Sequence, residues 1–531
     1  MNKSPDDRPS YILFITDQHR YDHLGCNGHP VLNTPHIDEM ASEGINFDRF
    51  YVASPVCMPN RSSLMTCRMP SSHGVRCLGV PLSHEHVTFV ELLRAAGYDT
   101  ALIGKSHLQN MNENPAQYKM PVHRQGYIAP TEELAVAIRT DYDTSEYRYE
   151  RPSFFRQKNP EVPLPYYGFD HYDSVTRHGF NTGGNHQLYT QQHAPDAFAM
   201  RSRDIQFEHN YSCPQAVRTK IPEAHHSTSY IADKACAYLE SRKDNPTPFF
   251  LMVSFPDPHH PFCPPGKYWD MYKPEDMPIP EAYQRTDWDM PEYVKIMKRQ
   301  REENPKIGEA SGVSIAISQR EAQEARALTC GMITMIDDAV GQIRNAARQT
   351  VLGDNIVQIF TSDHGDHLGD HQLLFKGTEQ YDSLNHVPFI WADPKGKKGR
   401  RTAELAQTHD IGTTILEHAK IEESLGMQGR ILSVAGGQGR DAAHIQFETQ
   451  KPHEAFGDRP KVSSIITSQW RLSVYIGKCK NELFDLENDP GEFENLWDVA
   501  QYAGIKTELL ERLAEMEITA ADHVPVPLTE A

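Results

Sequence analysis

Asp17-Gln18 and Asp363-His364 each stand at or just past the end of a short apolar run, and each sets a carboxylate beside a second ligand-capable side chain. A donor set of mostly oxygen with one imidazole suits Ca²⁺, Mn²⁺ or Mg²⁺ better than a soft-ligand metal. Two further runs end in cations and imidazoles, Gly104-Lys105-Ser106-His107 and Pro258-His259-His260-Pro261, and Lys376 closes Leu373-Leu374-Phe375-Lys376 after the second acidic pair. Cys57, in Cys57-Met58-Pro59-Asn60-Arg61, supplies a nucleophilic side chain beside a guanidinium. Singly, each residue has a plainer reading. An Asp at a strand end often caps a turn, most lysines are solvated, and a lone Cys is most often a small buried residue. The chain holds 27 histidines, too many for most to be catalytic.

The elements that would position these residues follow from periodicity. Tyr11–Thr16, Thr100–Gly104, Phe249–Ser254 and Ile356–Thr361 are short, apolar and β-rich, and helical patterns separate them. That alternation predicts an α/β fold with a mostly parallel central sheet flanked by helices. Ligands in such sheets bind beyond the carboxyl ends of the strands, which is where the polar residues stand. Helices are expected from Thr34-Pro35 to Gly44, from Thr88 to Gly97, and over Glu321–Arg348, whose stripe of Ala325, Leu328, Met332, Met335, Ile336, Val340 and Ile343 reads as core. Between Asn110 and His226 the sequence is polar, aromatic and histidine-rich with few clear elements, and includes His178-Gly179-Phe180. It is either a pocket mouth or a solvated or oligomer-contact insertion.

The 531 residues suffice for one very large domain or several ordinary ones. A Gly-rich stretch, Gly426–Gly439, divides residues 1–425 from a smaller unit, 426–531, with strand-like residues over Val462–Ile476 and a closing helix near Thr507–Ile518. Nine cysteines without paired spacing argue against a disulfide framework and for a reducing compartment. No signal-like start and no run of about 20 apolar residues is present, so a cytoplasmic protein without a membrane partner is expected. The formal charge of −19 disfavours nucleic acid as a partner.

The spacing Cys57-x-Pro59-x-Arg61, followed by Leu64-Met65-Thr66, resembles the signature of the formylglycine-dependent sulfatases of the alkaline phosphatase superfamily. The acidic pair after the first strand, Gly-Lys-x-His, Pro-His-x-Pro and late Asp-His-Gly also have counterparts here, in order. Residues 9 to 420 are covered, and Glu482-Leu483-Phe484-Asp485-Leu486-Glu487-Asn488-Asp489-Pro490 resembles the family's carboxyl-terminal signature. The resemblance implies an alkaline-phosphatase-like sandwich with a smaller C-terminal domain built on a short antiparallel sheet.

It also implies a mechanism. Cys57, converted to formylglycine by a maturation enzyme, would hydrate to a gem-diol, ligate one divalent cation with Asp17, Gln18, Asp363 and His364, and attack a small anionic sulfate ester. Arg61 would fix the diol, Lys105, His259 and Lys376 would surround the anion, and His107 would take the second hydroxyl's proton. Gln18 stands where the family has a second Asp, and His364 where many members have Asn. These departures resemble the phosphonate monoester hydrolase and choline sulfatase branches, so phosphonate or phosphodiester hydrolysis is the alternative. A non-hydrolytic binder with unmodified Cys57 is the third possibility. Cys67 replaces the usual Gly after Thr66, where local repacking is expected, and a homo-oligomer is expected.

Overall fold

In a computed structural model of the protein, which describes residues 8–113, 124–131, 134, 144–285, 288–449, 452–457 and 459–524, the four apolar runs are neighbouring strands. Along the chain lie β1 (Ser10–Thr16), β2 (Ile45–Tyr51), β3 (Asp99–Gly104), β4 (His171–Thr176), β5 (Gly183–Gly184) and β6 (Phe249–Ser254). They are followed by β7 (Ile315–Ala316), β8 (Ile356–Ser362), β9 (Leu373–Leu374), β10 (Phe389–Ala392) and β11 (Arg400–Gln407). Nine of them form one sheet in the order β11-β2-β10-β8-β1-β6-β3-β4-β5, while β7 and β9 pair apart. From β8 through β1, β6 and β3 to β4 all pairings are parallel, and β10 runs antiparallel to both its neighbours.

Register sets the site. Thr16 lies opposite Ser362, and Ser254 lies opposite both Ile15 and Gly104. The next residues of β8, β1 and β3, which are Asp363, Asp17 and Lys105, therefore leave the sheet at nearly one level. The central strands are buried on both faces, as covered parallel strands must be. β1 sends Tyr11, Leu13 and Ile15 into one apolar layer and Ile12 and Phe14 into the other, the two-residue alternation of a strand.

The helices covering these layers are α1 (Pro35–Ser42), α2 (Cys57–Thr66), α3 (Phe89–Ala95), α4 (Ser227–Ser241), α5 (Gln319–Arg348) and α6 (Asp410–His418). Capping boxes start α3 (Thr88 with Glu91) and α5 (Ser318 with Glu321), each satisfying otherwise orphaned backbone N–H groups. Ile333, Ile336, Val340 and Ile343 of α5 pack with Ile231, Ala235 and Leu239 of α4. Each such aliphatic side chain contributes about 1.5–3 kcal/mol relative to exposure. Met332 and Met335 are buried as well.

The smaller sheet is antiparallel, β12 (Ala443–Glu448), β13 (Lys461–Ile466), β14 (Trp470–Ile476) and β15 (Glu482–Asp485), and α7 (Ala503–Ala520) packs Leu509 and Leu513 against Ile465, Leu472 and Leu483. The strand-like span Val462–Ile476 is thus a hairpin, closed where Thr467 N donates to Trp470 O at 2.8 Å. Buried Arg471 pairs with Glu482 at 2.9 Å and with Glu492, whose other carboxylate oxygen accepts from Asp382 N at 2.8 Å. This network ties the small sheet to the helical turn that precedes β10.

The segment Asn110–His226 holds more structure than its composition suggests, although 114–123, 132–133 and 135–143 lie outside the described residues. β4 has no apolar run because its first half is partly exposed near the sheet edge, while Ser174, Val175 and Thr176 are buried. Among the described residues, no helix is long and apolar enough to cross a membrane. All nine cysteines are free.

Candidate active site

Cys57 is the first residue of α2, and every side chain of that helix is buried. Its Sγ lies 3.3 Å from His364 Nε2, 3.2 Å from Lys376 Nζ and 3.9 Å from Asp17 Oδ1. Burial and the Asp17 carboxylate push the thiol up, but Lys376, Lys105 and His364 outweigh them and hold it below its ordinary value. Cys67 ends the helix in the left-handed region, φ 55°, and its carbonyl accepts from Gln428 N and Gly429 N at 2.8 and 3.1 Å.

Ligand atoms of Asp17, Cys57, Asp363 and His364 all lie within 4.8 Å of one another. His364 Nδ1 donates to the Gly365 carbonyl at 2.8 Å, and its Nε2 lies 2.8 Å from Lys376 Nζ and 3.5 Å from Oδ1 of both Asp17 and Asp363; burial and Lys376 push the imidazole down, but Asp363 and Cys57 outweigh them and hold it above its ordinary value. An imidazole anchored through its outer nitrogen is the arrangement of a metal ligand. Gln18 Nε2 is held by the Asp366 carboxylate and lies 3.0 Å from His260 Nδ1, while Gln18 Oε1 is buried with no hydrogen-bond partner among the described residues. Two carboxylates, an imidazole nitrogen and residue 57 therefore fit a divalent cation, and Gln18, next to Asp17, carries an amide oxygen without a partner among the described residues.

Arg61 clamps the strand ends together. Its Nε donates to Asp363 Oδ2 at 2.7 Å, its Nη1 to Ser254 Oγ at 2.8 Å and the Lys105 carbonyl at 3.0 Å, and its Nη2 lies 3.5 Å from Asp17. Lys105 Nζ contacts Asp17 Oδ2 and lies 2.6 Å from His178 Nε2. The His178 ring stacks on His259, centroids 3.6 Å apart and planes 7° apart. Burial and then Lys105 push His178 down to about 3. Burial also holds His107 and His259 well below the usual imidazole range, aided by Lys105 and His178 respectively. Three basic side chains, Arg61, Lys105 and Lys376, thus stand among the carboxylates Asp17 and Asp363, with Asp366 behind Gln18.

Every residue expected from sequence lies in or against this cluster. His107 is the most peripheral, buried with its Nδ1 unpartnered among the described residues. Gln18, His107 and Phe375 adopt positive φ of 66°, 55° and 71°, a strain that side chains tolerate where the surroundings over-determine it. Sequence reasoning placed His178 in a possible pocket mouth but not among the site residues, because β4, which delivers it, carries no apolar run. It also missed Glu150, whose carboxylate holds the loop after β3. An Arg-His-Gly turn after a half-buried strand was the one available signal for His178.

A mostly parallel sheet whose strand ends assemble a cation-binding donor set, a cysteine at a helix start and a ring of basic groups defines an α/β enzyme of the alkaline-phosphatase type. Comparison with known proteins gives the family. The family described as Sulfatase matches residues 9–421, and N-sulphoglucosamine sulphohydrolase, C-terminal, matches residues 369–519. The chain is 29% identical to an arylsulfatase of Clostridium perfringens (strain 13 / Type A) over 505 residues, 93% of this chain and 91% of the relative. It is 27% identical to the multifunctional alkaline phosphatase superfamily protein PehA of Trinickia caryophylli over 559 residues, covering 97% and 96%. The crystal structure of a phosphonate monoester hydrolase of Agrobacterium radiobacter shares the fold, with TM-score 0.75, 24% identity and 98% of each chain covered. The chain belongs to the sulfatase family, within the sulfuric ester hydrolases of the alkaline phosphatase superfamily.

Proposed function

We propose that the protein hydrolyses small anionic sulfate esters through formylglycine at position 57 with one divalent cation, Ca²⁺ or Mn²⁺, with Mg²⁺ also suited. The observation that carries this is the convergence of Asp17, Asp363, His364 and residue 57 beside Arg61, Lys105 and Lys376. The cation, when bound, would draw charge from a substrate oxygen. Formylglycine would supply a hydrated aldehyde, with one hydroxyl to attack sulfur and a second to release the product.

The chain's own groups do the rest. Asp17, Asp363, His364 and the free Gln18 Oε1 would hold the cation, and Arg61 fixes both carboxylates and the diol. Lys105, Lys376 and His259 surround the sulfuryl oxygens, with the His178 ring stacked behind His259. Preorganised donors of this kind stabilise developing charge without reorganising. His107, neutral and with a free Nδ1, takes the proton of the second hydroxyl.

A maturation enzyme acts on Cys57 in this reading. Since Cys57 is 2% exposed, conversion precedes folding. A homo-oligomer, a reducing cytoplasmic setting and a unit boundary near residue 425 complete the proposal. Gln18 in place of a second acidic ligand favours one alternative, phosphonate monoester or phosphodiester hydrolysis at the same centre.

The test compares kcat/KM for 4-nitrophenyl sulfate and for a phenylphosphonate monoester in the protein and in Cys57→Ala. Sulfate ester turnover lost in the variant, with the fold intact, is the expected result. A higher phosphonate rate would establish the alternative, and substantial turnover by Cys57→Ala would sink the mechanism.

A further inference from the structure

We infer that Glu150 is a positioning residue for the loop bearing Lys105 and His107, an inference that rests on the role of His107 proposed above. After β3 the chain turns sharply. Gly104 has φ +114°, and a Cβ there would meet the Ser254 carbonyl oxygen at 1.9 Å. His107 then takes φ 55°, a conformation that costs a non-glycine residue about 1–3 kcal/mol unless its surroundings enforce it.

Glu150 enforces it. Its Oε2 accepts from His107 N at 3.0 Å, and its Oε1 accepts from Leu108 N at 3.1 Å, Gln109 N at 3.2 Å and Tyr166 Oη at 2.7 Å. Three successive N–H groups around a left-handed residue form an anion-binding concavity, and here a carboxylate of the chain itself fills it. Gln109 closes the clamp, its Nε2 donating to the Glu146 carbonyl at 2.7 Å and its Oε1 accepting from Tyr149 N at 2.9 Å.

Glu150 is 0% exposed and forms no ion pair with a described residue. A carboxylate buried without a counter-charge is costly, so its retention needs a reason, and the convergent N–H groups supply one. They fix the backbone from one side of the loop. Lys105 reaches Asp17 and His178 from the same turn, and the His107 ring sits where burial, and then Lys105 and His178, depress its basicity.

Glu150→Gln tests this, because it keeps the shape but replaces one oxygen with an NH₂ group. With the amide oxygen on Leu108, Gln109 and Tyr166, that NH₂ meets the His107 N–H donor to donor. Steady-state kinetics with 4-nitrophenyl sulfate across pH are compared at matched formylglycine and metal content, together with the thermal midpoint. The expected result is a kcat lower by on the order of 100-fold, as a 1 Å misplacement costs. KM should be little changed, the limb of the pH profile governed by His107 should be displaced, and Glu150→Asp should recover part of the rate.

A lowered midpoint with unchanged kcat and pH profile would overturn the inference. Should Glu150→Gln not fold, Tyr166→Phe removes one donor to the same carboxylate and must show a smaller loss in kcat of the same kind; wild-type kcat there would equally overturn it. His107→Ala separates the two levels. Lost turnover in His107→Ala with full turnover in Glu150→Gln defeats the positioning role alone, whereas full turnover in His107→Ala defeats the assignment of His107 and this inference with it.

Discussion

Gln18→Glu is the change that probes the cation site most sharply. Gln18 Nε2 donates to the Asp366 carboxylate, which also accepts from Leu368 N and Phe375 N at 3.0 and 2.8 Å. A glutamate would set two carboxylates in direct contact. Unit charges about 3 Å apart at an effective dielectric of 20 repel by about 5 kcal/mol, a large part of the ~5–15 kcal/mol that holds most proteins folded. The variant pair therefore keeps an extra proton in the folded state. Its folded pKa lies above the unfolded value near 4.3, so the native state binds more protons and stability falls as pH rises through that window. Thermal midpoints of chelator-treated protein should match the parent near pH 4 and fall behind it progressively towards neutrality. A Gln18→Glu protein as stable as the parent at pH 8 would refute the reading that Asp366 orients the amide and leaves Oε1 for the cation.

Lys105→Met removes a basic group that contacts Asp17 and faces His178; kcat for 4-nitrophenyl sulfate should fall by about 10²–10³, the range for loss of one charge-stabilising donor. Cation bound at 100 times its Kd should stabilise the protein by about 2.7 kcal/mol, and chemical denaturation of Asp363→Ala, which lacks one donor, should show no such increment. His186 lies outside the site with its pKa pushed down to about 3 by burial. Its native state binds fewer protons than the unfolded one between about pH 3 and 6.5, so stability is lost as pH falls there, and His186→Gln should reduce that slope by up to about 1.4 kcal/mol per pH unit. An unchanged slope in a denaturant titration series would contradict the assignment.

The central strands were legible because they are covered on both faces, which leaves unbroken apolar runs that stop at Asp17, Lys105 and Asp363. β4 was not, since its exposed half breaks the run, and His178 went with it. α2 was invisible to periodicity for the opposite reason: buried all round, it has no polar face to set a helical period. Its cysteine and arginine were found through residue spacing instead. Glu150 stands 41 residues from the nearest backbone N–H it serves, a separation at which no local pattern reveals a clamp. The Gln18 departure was visible as a residue type, but its cause, the carboxylate of Asp366, is a tertiary contact across 348 positions.

The central claim is the chemical state of residue 57, and peptide mass spectrometry across residues 57–61 of purified protein measures it directly. Formylglycine weighs about 18 Da less than cysteine and is the nucleophile that the covalent chemistry requires. That mass deficit on the peptide beginning at position 57 is the predicted result; an unmodified thiol in protein from a host that carries the maturation enzyme would contradict it.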